Sequence, residues 1–350
     1  MKKVFSALLA VLMLAGILAG CTNSSDVPTV STTAAANTAA SQTEALAHTK
    51  VSIVTTIFPE YDWVKEILGD KADNAEITML LDNGVDLHSY QPTADDIVKI
   101  SDCDLFIYVG GKSDEWVDGA LKNATNKNMK VINLLDVLGD SVKAEEVVEG
   151  MQETEHDHED DGANEHDHEE EAEYDEHVWL SLKNAETLVG AISESLQELD
   201  PDNKDTYAAN ADAYVKKLSA LDAEYQKAVS AGTYKTVLFG DRFPFRYLVD
   251  DYGLSYYAAF VGCSAETEAS FETVSFLAKK VDELKLPCVL TIEGAQHKIA
   301  ETIVQNTAEK NQKILTMDSM QSTTSQDVAS GTTYLSVMEK NLSVLKEALG

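Results

Sequence analysis

One stretch near the middle of the chain limits the fold more than any other. Tyr207, Ala211, Tyr214, Leu218, Leu221 and Tyr225 recur at alternating steps of four and three residues, which puts all six on one stripe of an α-helix. Asp200 can cap that helix, and Pro201 suits its first turn. A helix over 201–231 spans roughly 45 Å. The chain on either side is long enough for one compact domain. The expected plan is therefore two lobes joined by a stiff rod that limits their hinging. The alternative is a long helix packed within a single domain.

Both flanks alternate short β-branched runs with helical patterns. In 49–200, strands are expected over 51–57, 75–81, 105–109 and 130–135, with helices near 61–68, 93–100 and 116–121. In 232–350, strands are expected over 236–239, 255–260, 287–292 and 313–316, with helices over 271–284, 298–308 and 333–349. Such alternation implies parallel sheets with helices on both faces. The fold class is α/β: two parallel-sheet lobes joined by one long rigid helix, with a cleft between the lobes.

The N-terminus reads as an export signal over 1–20, with Lys2 and Lys3 ahead of an apolar run over 5–18. Leu18-Ala19-Gly20-Cys21 resembles the lipobox of bacterial lipoproteins, in which cleavage leaves the cysteine first and lipid-bearing, here Cys21. Residues 21–48 are rich in Ser, Thr and Ala without any apolar period, as in a flexible tether. The expected location is the outer face of the cell membrane, reached through a lipid anchor. A formal net charge of −33 argues against nucleic acid as a partner and favours cations. Of the remaining cysteines, Cys263 and Cys288 are the expected disulfide, and three buried thiols including Cys103 are the alternative.

Five of the eight histidines fall in one acidic run ending in Asp175-Glu176-His177. Imidazole with carboxylate suits zinc and neighbouring divalent metals. The run over 145–176 has almost no apolar content and is expected to be a mobile loop, with His156, His158, His166 and His168 as weak metal sites. Tight ligands should lie beyond the carboxyl ends of strands. His88, His177, Asp318 and the turn Gly240-Asp241-Arg242 all meet that condition.

The order of these segments resembles the zinc/manganese-specific substrate-binding lipoproteins of bacterial ABC importers, the ZnuA/AdcA-like group with a rigid linking helix (cluster A-I). The resemblance runs from about residue 50 to the C-terminus. Gly84-Val85-Asp86-Leu87-His88-Ser89-Tyr90-Gln91-Pro92 resembles the stretch that carries the family's first ligand, and Asp175-Glu176-His177-Val178-Trp179-Leu180 the second. Asp318 matches the aspartate ligand of the second lobe, and Gly111 to Trp116 and Tyr334 to Leu342 resemble two further family segments. The chain departs from the pattern at Arg242, where the family usually has His or Glu five residues before a tyrosine, here Tyr247. Arginine cannot ligate a metal. It is expected to pair with Asp318 or Asp241, and the missing ligand is sought among Cys263, Glu293, His297 and Asp241.

The resemblance implies a monomeric binding protein that captures Zn2+, with Mn2+ as the alternative, and passes it to an ABC permease without catalysing a reaction. A zinc hydrolase and a surface adhesion or zinc-buffering protein are the rival readings.

Overall fold

The β-branched runs form two four-stranded parallel sheets in the computed structural model, which describes residues 50–152, 173–264, 268–294 and 297–350. The first lobe alternates β1 (Val51–Thr55), α1 (Phe58–Leu68), β2 (Ala75–Met79), α2 (Ala94–Asp102), β3 (Leu105–Tyr108), α3 (Val117–Lys122), β4 (Lys130–Asn133) and α4 (Leu134–Leu138). Two long helices follow, α5 (Leu182–Leu199) and α6 (Lys204–Ala231). The second lobe runs β5 (Thr236–Phe243), α7 (Arg246–Tyr252), β6 (Ser255–Val261), α8 (Phe271–Leu284), β7 (Cys288–Thr291), α9 (Lys298–Asn306), β8 (Lys313–Thr316), α10 (Ser325–Ala329) and α11 (Tyr334–Leu349). The strand orders are β2-β1-β3-β4 and β6-β5-β7-β8. Each sheet thus has one switch point, between β1 and β3 or between β5 and β7, where a crevice opens beyond the carboxyl ends.

Local chemistry explains most boundaries. Thr93 caps α2 by accepting the N–H of Asp96, and the Asp96 carboxylate answers at the Thr93 N–H. The strand expected to reach 135 stops at Asn133, because the Asn133 side chain accepts the Asp136 N–H and starts α4. The linking helix begins at Lys204 rather than 201. Asp200 instead closes the turn after α5, accepting from Asn203 Nδ2 at 2.8 Å and from the Tyr207 hydroxyl at 2.7 Å.

All six stripe residues of α6 are buried. The helix packs on α1 and α5 and on α11 from the far end of the chain, and the Tyr225 hydroxyl donates to the Met338 carbonyl at 2.6 Å. One apolar core runs through Trp63 and Phe106 of the first lobe, Tyr214 of α6, and Phe239 and Phe243 of the second. A smaller core with Leu238, Phe260 and Leu277 lies on the other face of the second sheet. Leu238 and Phe239 are sequence neighbours in β5 and point to opposite faces. The last helix crosses back to the first lobe. Its Tyr334 N–H donates to Asp62 Oδ2 at 2.9 Å, its hydroxyl to the Trp179 carbonyl at 2.6 Å, and its ring meets Trp63 edge-on.

Two expectations need correction. Cys103, Cys263 and Cys288 are all free thiols. Cys288 opens β7 at its amino end, whereas Cys263 follows the carboxyl end of β6, and β5 lies between the two strands, so the parallel sheet holds them out of bridging range. The acidic run is also not loose from residue 145. Its neck is closed by the Glu145 N–H on the Glu173 carbonyl at 2.8 Å and the Asp175 N–H on the Lys143 carbonyl at 2.9 Å. Met151 is buried beside it, and the Gln152 N–H donates to Ala259 of β6 at 2.9 Å. Residues 1–49, with Cys21, and His156, His158, His166 and His168 lie outside the described residues. Among the described residues no helix is long and apolar enough to cross a membrane.

Candidate metal centre

Two turns and one strand end carry the donors. His88 sits in a 3₁₀ turn, Leu87–Ser89, beyond the carboxyl end of β2. Asp86 caps that turn, accepting the His88 N–H at 3.0 Å. His177 precedes another 3₁₀ turn, Val178–Leu180, and its ring is fully buried. Cys263 follows β6.

The two imidazoles face each other with Nε2 to Nε2 at 3.1 Å. Each Nδ1 already has a partner. His177 Nδ1 lies 2.9 Å from Asp175 Oδ1, which also accepts the His177 backbone N–H at 2.9 Å. His88 Nδ1 lies 2.8 Å from the Ser113 hydroxyl and 3.3 Å from Glu176 Oε2. With both Nδ1 atoms donating, both Nε2 lone pairs point at one spot. Two acceptors at that distance need a proton or a cation between them. In a tetrahedral zinc site with bonds near 2.05 Å, two nitrogens stand about 3.3 Å apart.

Among the described residues, His88, His177 and Cys263 form a group whose donor atoms all lie within 4.8 Å of one another. A cavity of about 300 Å³ opens onto His88 and Cys263 and is bordered by Ser113, Glu145, Glu173 and Glu176. Buried carboxylates surround the imidazoles, as second partners of metal-bound histidines usually do. Burial alone would lower the His177 pKa, but the Asp175 carboxylate outweighs it and the net shift is upward. Burial would raise Glu176, yet His88 and the Ser113 hydroxyl and N–H hold its carboxyl below the usual range. Gly111 makes that seat possible. Its φ is +80°, and a Cβ there would stand 2.5 Å from Glu176 Oε1.

The other expected ligands are not brought into this group. Asp318 accepts the Met320 N–H at 2.8 Å, and burial with the nearby Glu293 pushes its carboxyl up to about 6. Glu293 ties down the same loop, accepting from the Ser319 N–H at 2.6 Å, the Ser319 hydroxyl at 2.7 Å and the Gln321 N–H at 3.1 Å. Asp241 accepts the Arg242 N–H at 2.9 Å and stays beside its own strand end, with His297 among its charged neighbours. Against expectation, the Arg242 guanidinium pairs with neither Asp318 nor Asp241. Nη2 binds Asp86, the capping residue of the His88 turn, and Nη1 reaches the Ser264 carbonyl at 3.4 Å. Burial would raise Asp86, but Arg242 overrides it and holds the carboxyl low.

Sequence reasoning missed the supporting residues Asp175, Glu176, Ser113 and Glu145. The first two were visible as acids directly before His177. The other two come from loops that only the fold brings near.

A two-lobed, helix-linked α/β protein with a buried imidazole pair at the ends of its strands belongs to the metal-binding class of such folds. The chain is a member of the ZnuA family, described as "Zinc-uptake complex component A periplasmic", whose match covers residues 53–348. It is 34% identical over 300 residues to the zinc-binding lipoprotein AdcA of Streptococcus pneumoniae, covering 85% of this chain and 56% of that protein. The chain thus spans about half the length of the streptococcal relatives. It is 31% identical to the high-affinity zinc uptake system protein ZnuA of Bacillus subtilis, covering 86% of this chain and 88% of that one. Among solved structures, the Zn(II)-bound ZnuA-like domain of S. pneumoniae AdcA matches with a TM-score of 0.65 and 31% identity, covering 86% of this chain and 99% of that domain.

Proposed function

We propose that this protein is the extracytoplasmic zinc-capturing component of an ABC importer, which binds one Zn2+ between its lobes and hands it to a membrane permease. The observation that carries this reading is the pair of Nε2 atoms 3.1 Å apart, each with its Nδ1 committed to an acceptor. Family membership and relatives named for zinc binding and zinc uptake support it. No reaction is catalysed. A lipid on Cys21 holds the chain at the membrane, in keeping with the word lipoprotein in the name of a relative. The acidic run adds weak, fast-exchanging zinc sites through His156, His158, His166 and His168. The protein acts as a monomer, and the shared core keeps domain rotation small, so capture and release are movements of the ligand turns.

Calorimetry with zinc tests this. His88→Ala and His177→Ala should each weaken the tight site by more than about 1,000-fold, while deletion of 153–172 should remove weak sites only. Tight binding that survives both single changes would falsify the site. Zinc uptake by cells lacking the protein separates transport from a pure adhesion or buffering role.

A further inference from the structure

We propose that Cys263 is the third zinc ligand and that its thiolate, supplied by the second lobe, sets the preference of the site for zinc over manganese. This rests on the zinc-capture reading above and names a ligand and a selectivity within it.

Placement is the first argument. Cys263 is part of the three-donor group with the two imidazoles, whereas Cys103 and Cys288 are buried thiols outside it. The segment that carries it is clamped. The Cys263 N–H donates to Glu145 Oε1 at 2.8 Å, and the next carbonyl, Ser264, is reached by Arg242. The residue before it is Gly262, where a Cβ would stand 3.0 Å from His177 Cε1 and 2.9 Å from the Phe243 carbonyl. The backbone can pass this close to the imidazole only without a side chain, and that approach delivers the next residue to the metal position.

Elimination is the second argument. The second lobe must contribute a donor if the ion is to be held between the lobes. Arg242 cannot be one. Asp241 and Glu293 accept backbone N–H groups of their own strand ends and loops, and so does Asp318. Cys263, unlike these carboxylates and His297, belongs to the three-donor group, and it borders the open cavity. Zinc takes cysteine as the thiolate, so when a thiol binds the ion its S–H bond breaks, the S–Zn bond forms, and the proton leaves to solvent.

The chemistry then fixes selectivity. Two imidazoles and a thiolate suit tetrahedral zinc, while manganese favours carboxylate and water oxygens. A fourth donor enters from the cavity.

Cobalt(II) is the probe. The cobalt-loaded protein should show an intense sulfur-to-metal charge-transfer band in the near ultraviolet. Cys263→Ser should lose that band and weaken zinc binding by more than about 100-fold, and Cys288→Ser should keep both. Cys263→Asp should narrow the zinc-to-manganese affinity ratio by at least about tenfold. In the unaltered protein, zinc should shield Cys263 from alkylation by iodoacetamide, a readout that needs no variant. A cobalt protein without the band, or alkylation of Cys263 at equal rates with and without zinc, overturns the ligand assignment while tight zinc binding through His88 and His177 leaves the capture reading standing. Failure of the unaltered protein to bind zinc at all overturns both.

Discussion

The two sides of the crevice are built in opposite ways. The first side offers imidazoles, each aimed by a buried carboxylate, Asp175 behind His177 and Glu176 behind His88. The second side is rich in carboxylates at the right strand ends, but Asp241, Glu293 and Asp318 accept backbone N–H groups of their own lobe. What that side brings to the imidazoles is a sulfur atom and a guanidinium that grips the His88 turn through Asp86. The contrast teaches that position at a strand end makes a residue available as a ligand, and competition from nearby N–H groups decides whether it stays available.

The contrast can be broken at three places. Glu293→Ala removes the acceptor of several hydrogen bonds in the 318–322 loop and should cost about 2–4 kcal/mol of stability in chemical denaturation. Zinc affinity should stay within about threefold for both Glu293→Ala and Asp318→Asn, because neither side chain belongs to the donor group. A loss of zinc binding on Asp318→Asn of the size expected for a histidine would end the claim that the acids of the second side are committed elsewhere.

Arg242 is the next test. It links the turn of His88 to the segment of Cys263 and touches no metal, so Arg242→Met should weaken zinc by about 10- to 100-fold with unchanged secondary structure. Asp86→Asn should reproduce most of that loss, and a double variant no worse than either single would sharpen the pair into one unit.

The smallest effect concerns the region away from the metal. Burial pushes the Asp62 carboxyl, which accepts the Tyr334 N–H, up to about 6. An acid raised in the folded state favours folding while it keeps its proton, and that contribution is lost as pH rises from about 4 through 6. Asp62→Asn keeps an acceptor for Tyr334. It should therefore melt higher than the parent at pH 8, by about 1–2 kcal/mol in stability, and lose that advantage near pH 4. An advantage that grows toward acid would reverse the sign and sink the account.

Much of the fold was legible because its signals are local. The alternating β-branched runs mark the eight strands of the described residues to within a few residues, and the four-three stripe marks α6. The helix α5 carries an equally local signal that the sequence-based expectations omit, with Leu182, Ala185, Val189, Ile192 and Leu196 on one face behind a Ser181 cap. His88 and His177 each sit in a short segment with its own pattern, and the fold brings their imidazoles together. Asp318 matches a ligand position in sequence, and that match carries no information about the Met320 N–H that its carboxylate accepts. Cys263 was ambiguous for a related reason: a cysteine in sequence is a bridge, a core residue or a ligand, and only its neighbours in space tell these apart.

The apolar core that runs unbroken from Trp63 through Tyr214 to Phe243 has a consequence for how cargo departs. A receptor whose halves are welded along their hinge has no jaw to open. On the proposed zinc-importer function, unloading would then be a matter of picking a lock, in which the permease need nudge only the short span from Gly262 to Ser264 to spill the ion while the rest of the carrier stays as it was.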